Sequence, residues 1–215
     1  MKVLDLFCGV GGASMGIHLA GHEVVGVDLS EEQLRDYPFE KYWGDALDFP
    51  LDGYDAYFAS PPCQAYTKST AYWRTKGYKY PEYIPFIRNR LLETGKPFVL
   101  ENIVSAPLRK DLLLCATMFD NPTKRFTMRR HRIFEIHGFE VPKIKHITHT
   151  GNVGDGRILS IFGHGGGIRY NHCSSKLDDW REVMEMPWAR TRRQITEAIP
   201  PYYTQYIFSF LKDNK

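Results

Sequence analysis

The sequence predicts an α/β protein built on a mostly parallel sheet covered on both faces, and three observations carry that expectation. Short apolar runs rich in strand-forming residues recur at 3–7, 23–28, 54–60 and 97–102. Segments of helical composition or spacing lie between the runs, and a glycine turn, Gly9-Val10-Gly11-Gly12, stands between the first run and the first helical stretch. At 215 residues, 43% of them hydrophobic and 25% charged, the chain is long enough to bury one good core, so one main domain is expected.

Each element has its own local reason. Residues 3–7 are apolar apart from Asp5, and the glycines behind them open a loop before residues 13–20, a helical stretch that Gly21 can close. The second run, 23–28, ends in Asp28. The third, 54–60, runs straight into Pro61-Pro62-Cys63-Gln64. Residues 82–93 place Ile84, Ile87, Leu91 and Leu92 at helical spacing, with Gly95 just beyond, and the fourth run follows. From about Gly138 this rhythm is lost. Residues 141–149 mix Lys, His and Thr, and 151–167 are glycine-rich with one apolar patch at 158–162. Helical signals return at 191–198 and 202–211, separated by Pro200-Pro201. The expected organisation is therefore a domain at 1–137, a small irregular insertion at 138–189, and a return to the first domain at 190–215.

Composition excludes several classes. A formal charge of +3 does not demand a polyanionic partner. Lys124, Arg125, Arg129, Arg130 and Arg132, and again Arg190, Arg192 and Arg193, form local clusters that read either as phosphate contacts or as a solvated basic face. The four cysteines, Cys8, Cys63, Cys115 and Cys173, are far apart with no CxxC, so neither a disulfide scaffold nor a structural zinc site is expected. His146, His149, His164 and His172 with Cys173 match no standard ligand spacing, and the expectation is no metal. The amino-terminal residues contain no apolar signal core and no run approaches membrane length, so a soluble, unexported, cytoplasmic protein is expected.

Chemistry concentrates after the strands. Cys63 follows two prolines that fix φ and remove two N–H donors, so a stiff backbone presents the thiol at a strand's end, as a nucleophile requires. Taken alone it reads more readily as a buried cysteine after a proline turn. Gly9-Val10-Gly11-Gly12 lacks the third glycine of a dinucleotide fingerprint, because Ser14 stands there. It still lets an anionic group approach a helix N-terminus. Asp28 stands where an acid could accept from ribose hydroxyls, and Asp45 where one could meet an adenine amino group. Together the glycines and the two acids point to a nucleoside cofactor.

Asp5-Leu6-Phe7-Cys8-Gly9-Val10-Gly11-Gly12, Pro61-Pro62-Cys63-Gln64, Leu100-Glu101-Asn102-Ile103 and Arg130-His131-Arg132-Ile133-Phe134 occur in the order and spacing of the DNA cytosine-5 methyltransferases, and the chain resembles that family. Gln194-Ile195 through Ala198-Ile199-Pro200-Pro201 looks like its closing motif, so the resemblance spans residues 1–136 and 193–207. It implies a Rossmann-like fold that binds S-adenosylmethionine, with double-stranded DNA between the strand ends and a short target-recognition insertion. For the cofactor it implies Asp5, Phe7, Cys8, Gly9, Gly11, Gly12, Asp28, Leu29, Asp45, Ala46, Pro61, Glu197 and Ala198. For the chemistry it implies that Cys63, followed by Gln64, attacks C6 of a flipped-out cytosine and that Glu101 acts at N3. Asn102 would orient the loop carrying Glu101, and Arg132, with Arg130, would bind O2 and keep Cys63 poised as thiolate. A compact monomer of bacterial or phage type is expected, with a cognate restriction enzyme as a candidate partner.

Three departures stand out. The insertion is short for a recognition region, Met128 replaces the glutamine that usually opens the arginine motif, and Thr196-Glu197 replaces the Gly-Asn of the closing motif, where an acid would disfavour a carboxylated donor. Two other readings remain: a silent DNA-binding module, which the presence of Cys63, Gln64, Glu101 and Arg132 argues against, and a related RNA cytosine-5 methyltransferase, against which Gln64 sides with DNA.

Overall fold

The computed structural model describes residues 1–119, 125–150, 158–159, 161 and 176–212. In chain order the elements are β1 (Lys2–Leu6), α1 (Gly12–Leu19), β2 (Glu23–Asp28), α2 (Glu31–Leu34), β3 (Glu40–Trp43), β4 (Ala56–Ala59), α3 (Ala71–Thr75), α4 (Tyr83–Glu93), β5 (Phe98–Asn102), β6 (Leu112–Leu114), β7 (Thr127–Met128), β8 (Arg132–His137), β9 (Ile158–Leu159), α5 (Leu177–Met184), α6 (Arg192–Glu197) and α7 (Pro201–Phe208). Seven strands make one sheet in the order β3-β2-β1-β4-β5-β8-β6. The first five are parallel, and β8 runs antiparallel to both β5 and β6. The expected parallel α/β sheet is therefore present.

Alternation along the strands explains the layers. Val3, Phe58 and Val99 face a core with Ile17, Trp180, Tyr203 and Phe208 of α1, α5 and α7. Leu4, Tyr57 and Leu100 face the other way, onto Ile84, Ile87 and Leu91 of α4. Strands buried on both sides have to be apolar throughout, which is why these runs look continuous rather than alternating in sequence. Leu92 shares the helical spacing of α4 but lies 48% exposed, outside the buried stripe.

Helices α1 and α7 pack so closely that glycine is obligatory between them. A Cβ on Gly16 would stand 1.9 Å from the Pro201 carbonyl oxygen, and one on Gly12 would stand 2.3 Å from that of Ile199. The carboxyl-terminal return to the first domain is thus built into the first helix.

Three sequence expectations change. Strands β3, β6 and β8 carry no separate signal in the periodicity, the last being hidden inside the arginine motif. Residues 177–184, expected to be irregular, form an amphipathic helix whose Trp180, Val183 and Met184 are buried in the main core. Met128 is a core residue of β7 paired with Leu159, an apolar setting in which an amide side chain would need partners. No helix among the described residues is long and apolar enough to cross a membrane.

Candidate active site

The register of the sheet decides which loops meet. β1 pairs with both β2 and β4, with Leu6 opposite Ala59, so the glycine loop and the Pro-Pro-Cys loop leave adjacent strand ends. The order reverses between β1 and β4, the place where ligands bind in open parallel sheets. Next to β4, β5 ends in Glu101 and Asn102, and antiparallel β8 begins at the same end with Arg132.

Around Cys63 the groups are tightly connected. Arg132 Nε lies 2.8 Å from Glu101 Oε1, with the glutamate side chain 3% exposed, and Ser60 Oγ donates to Glu101 Oε2 at 2.7 Å. Burial pushes the Glu101 carboxyl above its ordinary 4.5, with Arg132 and the Ser60 hydroxyl pulling back. Cys63 is half-buried. Desolvation pushes its thiol above the usual 9.0; Arg132 opposes the shift and Glu101 adds to it. The resting thiol is therefore protonated at neutral pH.

The backbone that presents Cys63 is pinned at three points. Asn102 Nδ2 donates to the Pro61 carbonyl at 2.8 Å, while Ile103 N–H donates to Asn102 Oδ1 at 3.0 Å. Asn102 thus ties the tip of β5 to the cysteine loop, rather than only orienting Glu101. Behind the cysteine, the N–H groups of Tyr66 and Thr67 donate to the Cys63 carbonyl at 2.9 and 3.0 Å. Arg74 donates to the carbonyls of Gln64 and Thr67 at 3.2 and 2.9 Å. Arg74 and Ser60 are supporting residues to which motif reading assigns no such role, since Ser60 reads as the end of a strand run and Arg74 lies ten residues beyond Gln64. The Gln64 residue is exposed, so it flanks the site rather than building it.

Arg130 departs most from expectation. It is buried, and its guanidinium donates to the carbonyls of Ile161, Thr196 and Ala198 at 2.7, 2.8 and 2.7 Å. Those bonds occupy the group in holding the closing motif, so its place is structural and Arg132 alone of the pair faces Glu101. Other members of the basic clusters are likewise engaged within the chain. Arg125 pairs with Asp179 and Glu182, Arg190 with Asp36, and Arg193 with Glu32 and Glu197. Arg192 stacks on Trp180, and Lys124 lies outside the described residues.

The expected cofactor residues divide into those that line the strand ends and those that support them. Phe7 and Gly9 both adopt positive φ, 63° and 54°, which turns the chain sharply off β1, and a Cβ on Gly9 would meet nothing within 4 Å. A non-glycine residue in that region is strained, a feature common at ligand sites. Gly11 caps α1 with φ 86° and no side-chain cap, leaving the helix's first N–H groups for an anionic ligand. Asp28 accepts from the N–H groups of Gly9 and Ser30, both at 2.8 Å, locking the glycine loop to β2. Leu29, 62% exposed, follows it at the surface. Asp45 accepts from Leu47 N–H at 2.9 Å, and Arg90 holds this turn through the carbonyls of Ala46 and Phe49 at 3.0 and 2.8 Å.

Three expected ligands sit in supporting positions. Cys8 is buried with Leu34 and Tyr37, so its side chain packs α2 instead of lining a cofactor cradle. Gly12 faces Ile199, as described above. Asp5 is fully buried and bonded to Ser14 Oγ, which in turn accepts from Tyr37 Oη at 2.8 Å. Burial pushes Asp5 up to about 8. Its Oδ1 is buried without a protein partner. Pro61 is buried and contributes its carbonyl to Asn102. In the closing motif, Glu197 is bound by Gln33 Nε2 at 2.7 Å and by Arg193 Nε at 3.1 Å, which moderates the repulsion expected of its charge. Ala198 contributes a carbonyl to Arg130.

The residues fit a carboxylated nucleoside cofactor on three structural grounds: the uncapped α1 N-terminus, the open space beside Gly9, and paired acids at Asp28 and Asp45 beyond adjacent strands.

Comparison with known proteins shows the same architecture. No protein-family model matches the chain, and no curated protein matches it by sequence. Among solved structures it is similar to an E. coli prophage protein described as a DNA modification methyltransferase, at 16% identity and TM-score 0.62 over 98% of each chain. It is also similar to the Dnmt2 methyltransferase of S. pombe, at 11% identity and TM-score 0.63 over 98% of each chain. The methyltransferase EhMeth of Entamoeba histolytica matches at 10% identity and TM-score 0.63, over 100% of this chain and 98% of its own. The chain therefore has the Rossmann-like fold of S-adenosylmethionine-dependent methyltransferases.

Proposed function

We propose that this protein is a cytosine-5 methyltransferase acting on double-stranded DNA through a covalent adduct between Cys63 and C6 of an extruded base. The observation that carries the reading is the convergence of Cys63, Glu101 and Arg132 from three neighbouring strands beside the glycine loop, with Arg132 2.8 Å from Glu101. The fold supports methyl transfer, and S-adenosylmethionine, when bound along Phe7, Gly9, Gly11 and Asp28, supplies an electrophilic methyl group.

This chain's own residues account for activation of the base. C5 of cytosine is a poor nucleophile, and thiolate addition at C6 converts the ring into an enamine. A stacked base offers no such approach, so extrusion is required. Glu101, with its proton retained more tightly than usual, donates a hydrogen bond at N3 as negative charge develops there. The Cys63 proton is lost to solvent as addition begins, and Arg132 hydrogen-bonds O2 and stabilises the resulting thiolate. Once C5 carries the methyl group, loss of its proton to water re-forms the C5–C6 double bond and breaks the C6–S bond, releasing the thiolate. Exposed Tyr72, Trp73 and Tyr78 pack edge to face on the segment after Cys63, beside Lys76, and provide stacking surfaces and positive charge for a nucleic acid.

The test incubates wild type and Cys63→Ala with labelled S-adenosylmethionine and a duplex rich in 5-fluorocytosine, whose fluorine blocks proton loss and traps the adduct. A covalent band in wild type alone is expected. Absence of a band with DNA, together with methyl incorporation into tRNA, would move the acceptor to RNA. Absence of both, with DNA binding retained, would reduce the chain to a binding module.

A further inference from the structure

Four residues that contribute nothing to the chemistry above meet on the far side of the arginine motif. Cys115 follows β6 and is buried, His131 stands between Arg130 and Arg132, and His146 and His149 lie in the stretch after β8. One ligand atom from each falls within 4.8 Å of all the others. His146 Nε2 is 3.0 Å from His131 Nε2 and 3.1 Å from His149 Nε2, and His149 Nε2 is 3.4 Å from Cys115 Sγ.

Hydrogen bonding alone does not satisfy this cluster. A ring nitrogen carries either one proton or one lone pair in the plane of the ring, never both. His146 Nε2 faces two other ring nitrogens at hydrogen-bond distance and can serve one of them. A single cation, in contrast, accepts the lone pairs of all three imidazoles and the thiolate together. Tetrahedral Zn²⁺, with bonds of about 2.0–2.1 Å to nitrogen and about 2.3 Å to sulfur, sets neighbouring nitrogens about 3.3 Å apart and nitrogen about 3.6 Å from sulfur. The three short spacings, 3.0, 3.1 and 3.4 Å, lie within a few tenths of an ångström of those edges, and no pair is more than 4.8 Å apart.

We infer that Cys115, His131, His146 and His149 form a closed, four-coordinate structural site for Zn²⁺. The combination of one thiolate with three imidazoles suits that ion, and four protein ligands leave no open position for substrate. Thr117 Oγ1, 3.3 Å from Cys115 Sγ, donates to the thiolate as an outer-shell partner. The metal joins three pieces of chain that are distant in sequence: the end of β6, the arginine motif and the first part of the recognition segment. Because His131 lies between Arg130 and Arg132, the site fixes the backbone that carries both arginines.

This reverses the sequence expectation of no metal. Of the histidines considered there, His146 and His149 belong to the site, and the other two ligands come from outside that run. His164, His172 and Cys173 lie outside the described residues.

The test is independent of the proposed catalysis. Wild-type protein purified without chelators is assayed for metal by mass spectrometry, and the bound zinc is examined by X-ray absorption. About one equivalent per chain is expected, with one sulfur and three nitrogens in its coordination shell. Exchange for Co²⁺ should give the intense visible bands of a tetrahedral ion and a thiolate charge-transfer band. Cys115→Ser should lose the charge-transfer band, and the paired change His146→Asn with His149→Asn should retain less than about a tenth of the metal. Folded wild type that is metal-free as isolated and takes up no Co²⁺ would overturn the inference. So would a zinc shell without sulfur, or a charge-transfer band that survives Cys115→Ser.

Discussion

Replacing Arg132 with Met removes the cation facing Glu101 while keeping much of the apolar stem, and the damage should depend on pH in a calculable way. The carboxylate is 2% exposed and would be left with only the Ser60 hydroxyl. A buried charge deprived of its partner typically costs about 3–5 kcal/mol. The variant can escape by folding with Glu101 protonated, so its penalty is capped at the work of protonating a carboxyl of ordinary value 4.5. That ceiling is about 4.8 kcal/mol at pH 8 and about 1.4 kcal/mol at pH 5.5. Wild type already carries part of this penalty, because burial outweighs Arg132 in setting the Glu101 carboxyl. The extra loss is therefore expected at about 3 kcal/mol at pH 8 and under about 0.5 kcal/mol at pH 5.5, where wild type already carries most of the ceiling. The sign follows from proton counting: a folded-state carboxyl raised above its unfolded value keeps a proton that the unfolded chain releases. Stability falls as pH climbs from 4.5 towards the raised folded value, and the variant, with the higher folded value, falls further. Urea denaturation at the two pH values measures this, and adding Glu101→Gln to the variant should restore about 2 kcal/mol at pH 8. Equal losses at both pH values, or no restoration by Gln, would refute the assignment of Glu101 and Arg132 as one buried pair.

Three further outcomes are expected. The rate of Cys63 alkylation against pH should shift to higher pH in Arg132→Met and to lower pH in Glu101→Gln, because the first change removes a charge that lowers the thiol's value and the second removes one that raises it; following modification of Cys63 by mass spectrometry checks both. Arg130→Met should leave three carbonyls short of a donor and cost about 3–5 kcal/mol in chemical denaturation, whereas a residue serving only substrate would leave stability unchanged. Gly16→Ala should abolish soluble folded protein because of the 1.9 Å approach to the Pro201 carbonyl, while Gly9→Ala, with open space but φ of 54°, should cost only about 1 kcal/mol and weaken S-adenosylmethionine binding measured by calorimetry.

The parallel half of the sheet was legible because its strands are buried on both faces and so announce themselves as apolar runs after which loops begin. Strand β8 was not, since Arg132, Glu135 and His137 interrupt it, and each is accounted for by a partner far away in sequence: Glu101 for Arg132, Arg88 for Glu135, and the ring of Phe98 for His137, which stacks on it. Glu135, for example, is buried against Arg88 at 2.7 Å and His137 at 2.9 Å, and is held down at about 2 by those contacts. Motif spacing located Cys63, Glu101 and Arg132 but could not separate Arg130 from Arg132, because only Arg132 lies in β8, while Arg130 precedes the strand and is held by the closing motif. It also missed Cys115 and His131 beside His146 and His149, because residues drawn from separate loops leave no regular spacing to read.

The same geometry explains how a nucleophile can be kept unreactive in the absence of substrate. Burial raises both the Cys63 thiol and the Glu101 carboxyl, and each negative charge would raise the other further, so with one arginine between them the two ionise reluctantly together. On the proposed reading, a base entering this site accepts a hydrogen bond from the protonated Glu101 at N3 and from Arg132 at O2, which favours the neutral acid and keeps a competing carboxylate out of the thiol's surroundings as addition begins. Activation then depends on the arrival of cytosine, and a purine or thymine that cannot accept at N3 while placing C6 over Cys63 leaves the thiol protonated. Discrimination among bases follows from that coupling, before any contact made by the recognition segment.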